Sequence, residues 1–463
     1  MDLQEKAKRF LQIALEEEGV EQAEVFFLSR KSTRNSILRE AGERKFFSQF
    51  LEDRGVAFRV KVGKKLGFAY SSDLSERSIR FAIKQAVASS QETQGFESFP
   101  SHAGLKERVE YDEEVVALDE ERVLEFVKGM EEVATSLSPN ITAVDLTFEK
   151  ALIQTAVFNT EGSELVQEGT YVGASATLSY RDEKPIQYSK IQLGRELNQV
   201  NPRSLVKQVS EELIRLSKDP VTVESDEYEA LLSPVVVTEL LSYSFVNALC
   251  ADQVRSGVSP LADKLGEEIA SQPVTIWDDP TYEGGLYTTS FDDEGVPSSR
   301  TFLIEDGVLK GYMYDSIAGR LGEFRSTSNC ARWESPLWDK FFARSYKCRP
   351  RIWMSNLIIR PGKGKVEDLL PEMSKGIYCL EIFAGFTMSP SGDFSLPILH
   401  GYYVEGGQIV GPIRGLSIKG NVFELLKGVV RIGEEPEITV PNSSSGSVVT
   451  PPILVEKIRV AKG

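Results

Sequence analysis

Residues 291–315 constrain this chain more than any other stretch. Their sequence is FDDEGVPSSRTFLIEDGVLKGYMYD. Asp292, Asp293 and Glu294 run into Gly295 and Pro297, which is turn chemistry. Thr301-Phe302-Leu303-Ile304 then supplies β-branched and aromatic residues. Glu305-Asp306-Gly307 has the Asp-Gly dipeptide of a tight hairpin, and Val308 to Tyr314 is expected to return as the second strand. A plain hairpin needs neither the acidic triad nor Arg300. Three adjacent carboxylates repel one another, and a bound cation, an amine or a solvated turn would each relieve the repulsion. Arg300 and Arg320 could pair with these acids or with a peptide carboxylate.

A chain of 463 residues is too long for one ordinary core and implies two or three domains. Acidic residues outnumber basic ones 69 to 53, a formal net charge of −16. DNA would repel such a chain unless a basic patch were segregated, and no Lys/Arg stripe is visible. Direct nucleic-acid binding is therefore not expected. Cys250, Cys330, Cys348 and Cys379 contain no two-residue gap of a zinc or redox motif, so four reduced thiols of a cytoplasmic protein are expected. The N-terminus is charged and amphipathic, with no apolar signal core. Residues 231–251 are long and apolar but contain Pro234, Glu239 and Asn247. A glutamate in mid-bilayer is costly, so this segment is expected to be a buried helix near 234–250 and not a membrane span.

The order of elements indicates an α+β fold. Leu3, Ala7, Phe10, Leu11, Ala14 and Leu15 repeat at helical spacing. A strand at 24–28 and a hairpin around Gly63 follow, and Asp73-Leu74-Ser75-Glu76 opens a helix to about Ser90. The polar, Gly- and Pro-bearing residues 91–106 form a linker. A second unit has helices from Asp119 and from Asn201-Pro202, with alternating strands over 141–180. The expected domains are 1–105 and 106–222, both mixed helix and strand, then a β-rich barrel-like or sandwich domain over 223–463.

The 291–315 unit, Ser316 to Gly322, Lys375-Gly376-Ile377-Tyr378 and Gly411-Pro412-Ile413-Arg414-Gly415 together resemble the TldD/PmbA family, once called modulators of DNA gyrase and now linked to a zinc peptidase. The resemblance covers the second half of the chain by motif and the first half by order of elements. In the catalytic branch it implies a helix carrying His-Glu-x-x-x-His and a cysteine near the C-terminus. Here the motif positions read Thr238-Glu239-Leu240-Leu241-Ser242-Tyr243, and Asn442-Ser443-Ser444-Ser445-Gly446 occupies the place of the cysteine. A five-residue spacing puts side chains about 140° apart on an ideal helix, so two histidines would need a distortion that nothing in this sequence demands.

The resemblance is therefore to the PmbA (TldE) branch, a non-catalytic subunit inactive alone. Glu239 would be vestigial, and this chain would bind no metal or other cofactor, with zinc residing in a catalytic TldD-like partner. Substrates would be unfolded or extended peptides, held as an added strand. Asp292, Asp293, Glu294, Gly295, Arg300 and Arg320 are the expected peptide-binding residues. The alternatives are a stand-alone peptide-binding homodimer and a DNA gyrase-associated regulator. The sequence places no base beside Cys330; His102 and His400 are the only histidines. Trp333, Trp338, Phe341 and Phe342 form an aromatic cluster, either a satellite core or a dimer contact of the C-terminal half.

Overall fold

The computed structural model describes residues 3–40, 42–102, 106–108, 110–182, 185–334, 344–383, 389–442 and 444–462. Trp338, Phe341 and Phe342 lie outside them. Strand outweighs helix, 41% to 24%, and nearly all strand pairs are antiparallel, which makes the class α+β.

The first half builds one eight-stranded sheet, six long strands with two short ones at Gln91–Glu92 and Lys106–Arg108. Helix α1 (Leu3–Leu15) precedes β1 (Gln22–Glu40), β2 (Glu43–Val62) and β3 (Lys65–Ser71). Helix α2 (Glu76–Ala88) starts where Ser75 caps it by accepting from the Ser78 N–H. Helix α3 (Glu120–Leu137) is capped by Asp119. Then come β4 (Ile141–Asn159), β5 (Glu164–Tyr180), β6 (Ile186–Gly194) and α4 (Pro202–Leu216), which has Asn201 as cap and Pro202 in its first turn. β1 pairs with both β2 and β4 along most of its length, so the sheet crosses the expected linker between units. Helices α1 and α2 bury Phe10, Ile13, Ile79 and Ile83 on it, while α3 and α4 bury Val123, Val127, Leu205 and Val209.

β1 is 19 residues long, far beyond the short strand expected at 24–28. Its polar middle is buried and in part paired across strands. Arg34 Nε donates to Glu149 at 2.8 Å and Ser36 Oγ lies 2.7 Å from Thr147 Oγ1. Cross-strand polar partners replace the apolar alternation that marks a half-buried strand.

The second half contains a barrel and a second sheet. Its strands are β7 (Asp226–Leu232), β8 (Ile276–Asp278), β9 (Thr301–Glu305), β10 (Val308–Leu309), β11 (Asn356–Ile359), β12 (Lys375–Ile382), β13 (Asp393–Glu405), β14 (Leu416–Asn421), β15 (Glu437–Thr439), β16 (Ser447–Thr450) and β17 (Ile453–Lys462). Pairings β12–β7–β17–β14–β13 close on themselves through β12–β13, which makes a five-stranded barrel. The other sheet runs β10–β9–β8–β11–β16–β15. Helix α5 (Pro234–Leu240) and the turns after it are packed into this core, with Val236, Val237, Leu240, Leu241, Phe245 and Val246 all buried. Among the described residues no helix is long and apolar enough to cross a membrane.

The expected hairpin forms at Asp306-Gly307, both at positive φ (49° and 83°). Its second strand ends at Leu309, not Tyr314. The chain peels away there because the Met313 N–H donates to the Leu249 carbonyl at 2.9 Å, pairing this segment with the end of the buried helix.

Candidate functional site

The acidic triad is not a solvated turn. Asp292, Asp293 and Glu294 are 3%, 2% and 1% exposed. Asp292 accepts the Glu294 and Val296 N–H groups at 2.9 Å each and the Cys330 N–H at 3.2 Å. Asp293 accepts the Arg332 N–H at 2.6 Å and pairs with Arg344 at 2.9 Å. Glu294 takes Arg59 Nη1 at 2.7 Å and the Ser316 N–H at 2.9 Å. Arg59 also holds Glu24, which in turn takes Arg332 Nη2 at 2.8 Å. Burial opposes the charge on Glu294, but Arg59 outweighs it and keeps the carboxyl below its ordinary range. Among the described residues no arginine pairs with Asp292, and burial beside Glu294 pushes its pKa up. Gly295 sits at φ 81°, where a Cβ would come within 2.9 Å of Leu165. The turn thus plugs into the first sheet, and its charges join the two halves of the chain.

Arg300 and Arg320 do not meet the triad. Arg300 Nε donates to Asp279 at 2.7 Å, and Arg320 lies 3.6 Å from Glu97. Cys330 and His400 are not brought together either. Cys330 is buried among carboxylates, where burial and then Glu294 and Asp292 push its thiol pKa well up. All four cysteines are free thiols. Trp333 is 7% exposed and packs 5.0 Å from Trp353 with Arg351 over its ring. It is a core residue.

What the fold does bring together is the helix motif and the C-terminal segment. Glu239 is buried, and its Oε1 accepts from both the backbone N–H of Asn442 at 2.9 Å and Asn442 Nδ2 at 2.7 Å. The Thr238 hydroxyl bonds that of Thr439. Tyr243 lies five residues on, beyond the end of α5. Residues Leu241–Phe245 form a π turn, so the distortion that a five-residue ligand spacing requires is present, contrary to expectation. A π turn widens the helix by one residue and turns the following side chains back towards those before it.

Glu239 and Asn442 line a cleft of about 260 Å³. One wall is β6, contributing Tyr188, Lys190, Ile191 and Leu193. Opposite lie β15 with Glu437 and Thr439, and β12 with Tyr378 and Glu381. Among the described residues β6 pairs only with β5, and β15 only with β16. Two strand edges therefore border the cleft, tied by Lys190 and Glu437 at 3.4 Å. Burial, then Glu212 and Glu381, push the Tyr188 phenol upward, so it stays a neutral donor. None of these wall residues was expected from sequence. The alternation Ile186, Tyr188, Lys190 against Gln187, Ser189, Ile191 is a strand signal, but a polar one.

His400 packs against two residues of the cleft wall. Its ring meets Tyr188 edge-on at 5.3 Å, and its Nε2 lies 3.6 Å from Glu381. Burial dominates and lowers its pKa to about 4, opposed by the ring's hydrogen bond to the Gln187 backbone, with Arg414 adding to the shift. An unfolded histidine titrates near ~6.5. Between these values the unfolded chain binds the extra proton. The contribution to stability is therefore complete above ~6.5 and is lost as pH falls toward the folded value. We expect the urea midpoint to fall less steeply between about pH 7 and pH 4.5 in His400→Gln than in wild type. Equal slopes would show that His400 is not held neutral.

The model of the PmbA/TldA metallopeptidase C-terminal domain matches residues 225–462, more than half the chain. This chain belongs to the PmbA/TldD metallopeptidase family. Models for domain 1 and the central domain of that family match residues 23–90 and 113–216. An uncharacterized protein of Methanocaldococcus jannaschii is 28% identical over 385 residues, covering 82% of this chain and 84% of its own. A Buchnera aphidicola protein named metalloprotease TldD homolog is 25% identical over 420 residues, covering 87% and 82%. The crystal structure of TldE from Thermococcus kodakarensis superposes with a TM-score of 0.86 at 22% identity, over 98% of this chain and all of that one, which shows the PmbA/TldD fold.

Proposed function

We propose that this chain is the non-catalytic subunit of a PmbA/TldD-type metallopeptidase of the cytoplasm, walling a cleft that holds an extended peptide while a zinc-bearing relative supplies the chemistry. The observation that carries this reading is the clasp of Asn442 on Glu239. A general base must face a metal-bound water, whereas this carboxylate receives the amide donors of the C-terminal segment. The donor set around it does not fit zinc. Thr238 and Tyr243 offer an aliphatic hydroxyl and a phenol where the metal takes imidazole, thiolate or carboxylate, and no step is routed through a metal here.

The cleft supports the peptide-holding half of the reading. Two strand edges that no described strand pairs, β6 and β15, offer backbone donors and acceptors, the chemistry by which an extended peptide adds to a sheet. Glu212, Glu381 and Glu437 on the walls favour a peptide carrying basic groups. In this reading the buried acidic triad and Gly295 frame the site instead of touching substrate. Only Arg300 and Arg320, of the residues expected to bind peptide, keep part of their side chains in solvent.

Mixing tests the proposal. An unfolded peptide is incubated with this chain, with a family member carrying the intact His-Glu-x-x-x-His motif, and with both. Cleavage is expected only, or at least about tenfold faster, in the mixture, because binding and orientation lower the barrier only where an activated water exists. Chelator-sensitive cleavage by this chain alone would overturn it.

A further inference from the structure

A second cavity, of about 170 Å³, opens where the two halves of the chain meet. It shares no lining residue with the cleft at Glu239. β3 walls it from the first half, and residues 315–317 and 349–350 wall it from the second. Leu66, Phe68, Ile317 and Pro350 make the walls apolar, and four charged side chains reach the space between them. Two of the four are satisfied. Arg59 is held by Glu24 and Glu294, and Glu294 also takes the Ser316 N–H.

The other two charged groups lack a partner of opposite sign. One oxygen of Asp315 accepts the Ala318 N–H at 2.7 Å and so caps the helix Ser316–Leu321. Among the described residues no cation stands within ion-pair distance of Asp315. Arg349 lies over Phe68, 5.9 Å from the ring centre, and no carboxylate among the described residues pairs with it. One carboxyl group and one guanidinium thus border the same small space, and their charges are the complement of a zwitterion. A metal ion would meet two guanidinium groups here, and a simple anion would meet two carboxyl groups.

We propose that this cavity binds a free α-amino acid with an apolar side chain, its ammonium on Asp315, its carboxylate on Arg349 and its side chain against Leu66, Phe68, Ile317 and Pro350. Drug-sized ligands take pockets of roughly 300–1,000 Å³, so the smaller volume here suits a single amino acid. The ligand would bridge the two halves beside the Arg59 network. The site is separate from the peptide-holding cleft and stands whether or not that function is correct.

The surroundings of Asp315 give the binding a pH dependence. Burial and then Glu294 push its carboxyl up to about 7, with the Ala318 N–H and Arg59 opposing and Asp252 adding. The Cys330 thiol also faces it and stays protonated, its own pKa pushed well up. An ammonium pairs with the ionised carboxylate. Affinity is therefore expected to weaken about tenfold from about pH 8 to about pH 6, as Asp315 takes up its proton.

Equilibrium dialysis of the full chain with radiolabelled leucine tests the proposal. One saturable site is expected, with a dissociation constant on the order of 0.1–1 mM for a ligand this small. N-acetyl-leucine and leucine amide each lack one of the two charges and are expected to bind at least about tenfold more weakly. Asp315→Asn keeps an acceptor for the Ala318 N–H and removes the charge. Arg349→Gln removes a guanidinium that holds no ion pair among the described residues. Each variant is expected to weaken leucine binding at least about tenfold. No saturable binding up to about 10 mM, equal affinity for N-acetyl-leucine, leucine binding that both variants leave intact, or affinity that rises toward low pH would overturn the proposal.

Discussion

Glu24→Gln is expected to lower the unfolding free energy by about 3–5 kcal/mol, the cost of leaving a buried charge without its partner. Glu24 and Arg332 have fully buried side chains, and that of Arg59 is 3% exposed. The carboxylate stands between two guanidinium groups, taking Arg59 Nε at 2.7 Å and Arg332 Nη2 at 2.8 Å. Its removal leaves two cations in apolar surroundings, next to each other, with only Glu294 and Asp293 to compensate. Because Glu24 and Arg59 belong to the first sheet while Glu294 and Arg332 belong to the second half, the loss should also loosen one half from the other. Urea unfolding read by tryptophan fluorescence checks this, since all four tryptophans lie in the second half. Glu132→Gln is the control. Its pair with Arg203 is 68% and 64% exposed, and such surface pairs contribute at most about 1 kcal/mol. Equal effects of the two substitutions would show that the buried network does not hold the halves together.

That network also marks where the sequence stopped being legible. The 291–315 unit was visible as a hairpin because Asp306-Gly307 is a local signal. The fate of Asp292, Asp293 and Glu294 was not, because Arg59, Arg332 and Arg344 approach from distant parts of the chain. A triad of acids looks solvated until its partners are known. Helices α2, α3 and α4 announced themselves through Ser75, Asp119 and Asn201-Pro202, each a cap or first-turn residue acting on its own neighbours. β1 did not, since Arg30, Ser32, Asn35 and Ser36 are polar residues buried by pairing across strands. At the site, Thr238 and Tyr243 could be read directly. That Asn442 would take Glu239 in hand, and that a π turn would survive without histidines, depends on tertiary contacts. The cleft was hidden for the same reason: β6, β12 and β15 reach it from three separate stretches.

The second large effect concerns metal. A zinc peptidase site binds its ion through three protein ligands. The positions available here are Thr238, Tyr243 and the segment at 442–446, with Asn442 already donating to Glu239. Among the described residues no three His, Cys, Asp or Glu side chains gather in ligating range. His400, 3.6 Å from Glu381, is a single imidazole and takes no part in the motif. Reduced affinity follows from each missing ligand. With a threonine, a tyrosine and an amide at these positions, only adventitious binding is expected.

Elemental analysis of the purified chain after dialysis against zinc-containing and then zinc-free buffer measures this directly. The account predicts fewer than about one zinc per ten chains, unchanged by Glu239→Gln, because a lone carboxylate does not retain the ion. About one zinc per chain, lost on Glu239→Gln, would contradict it.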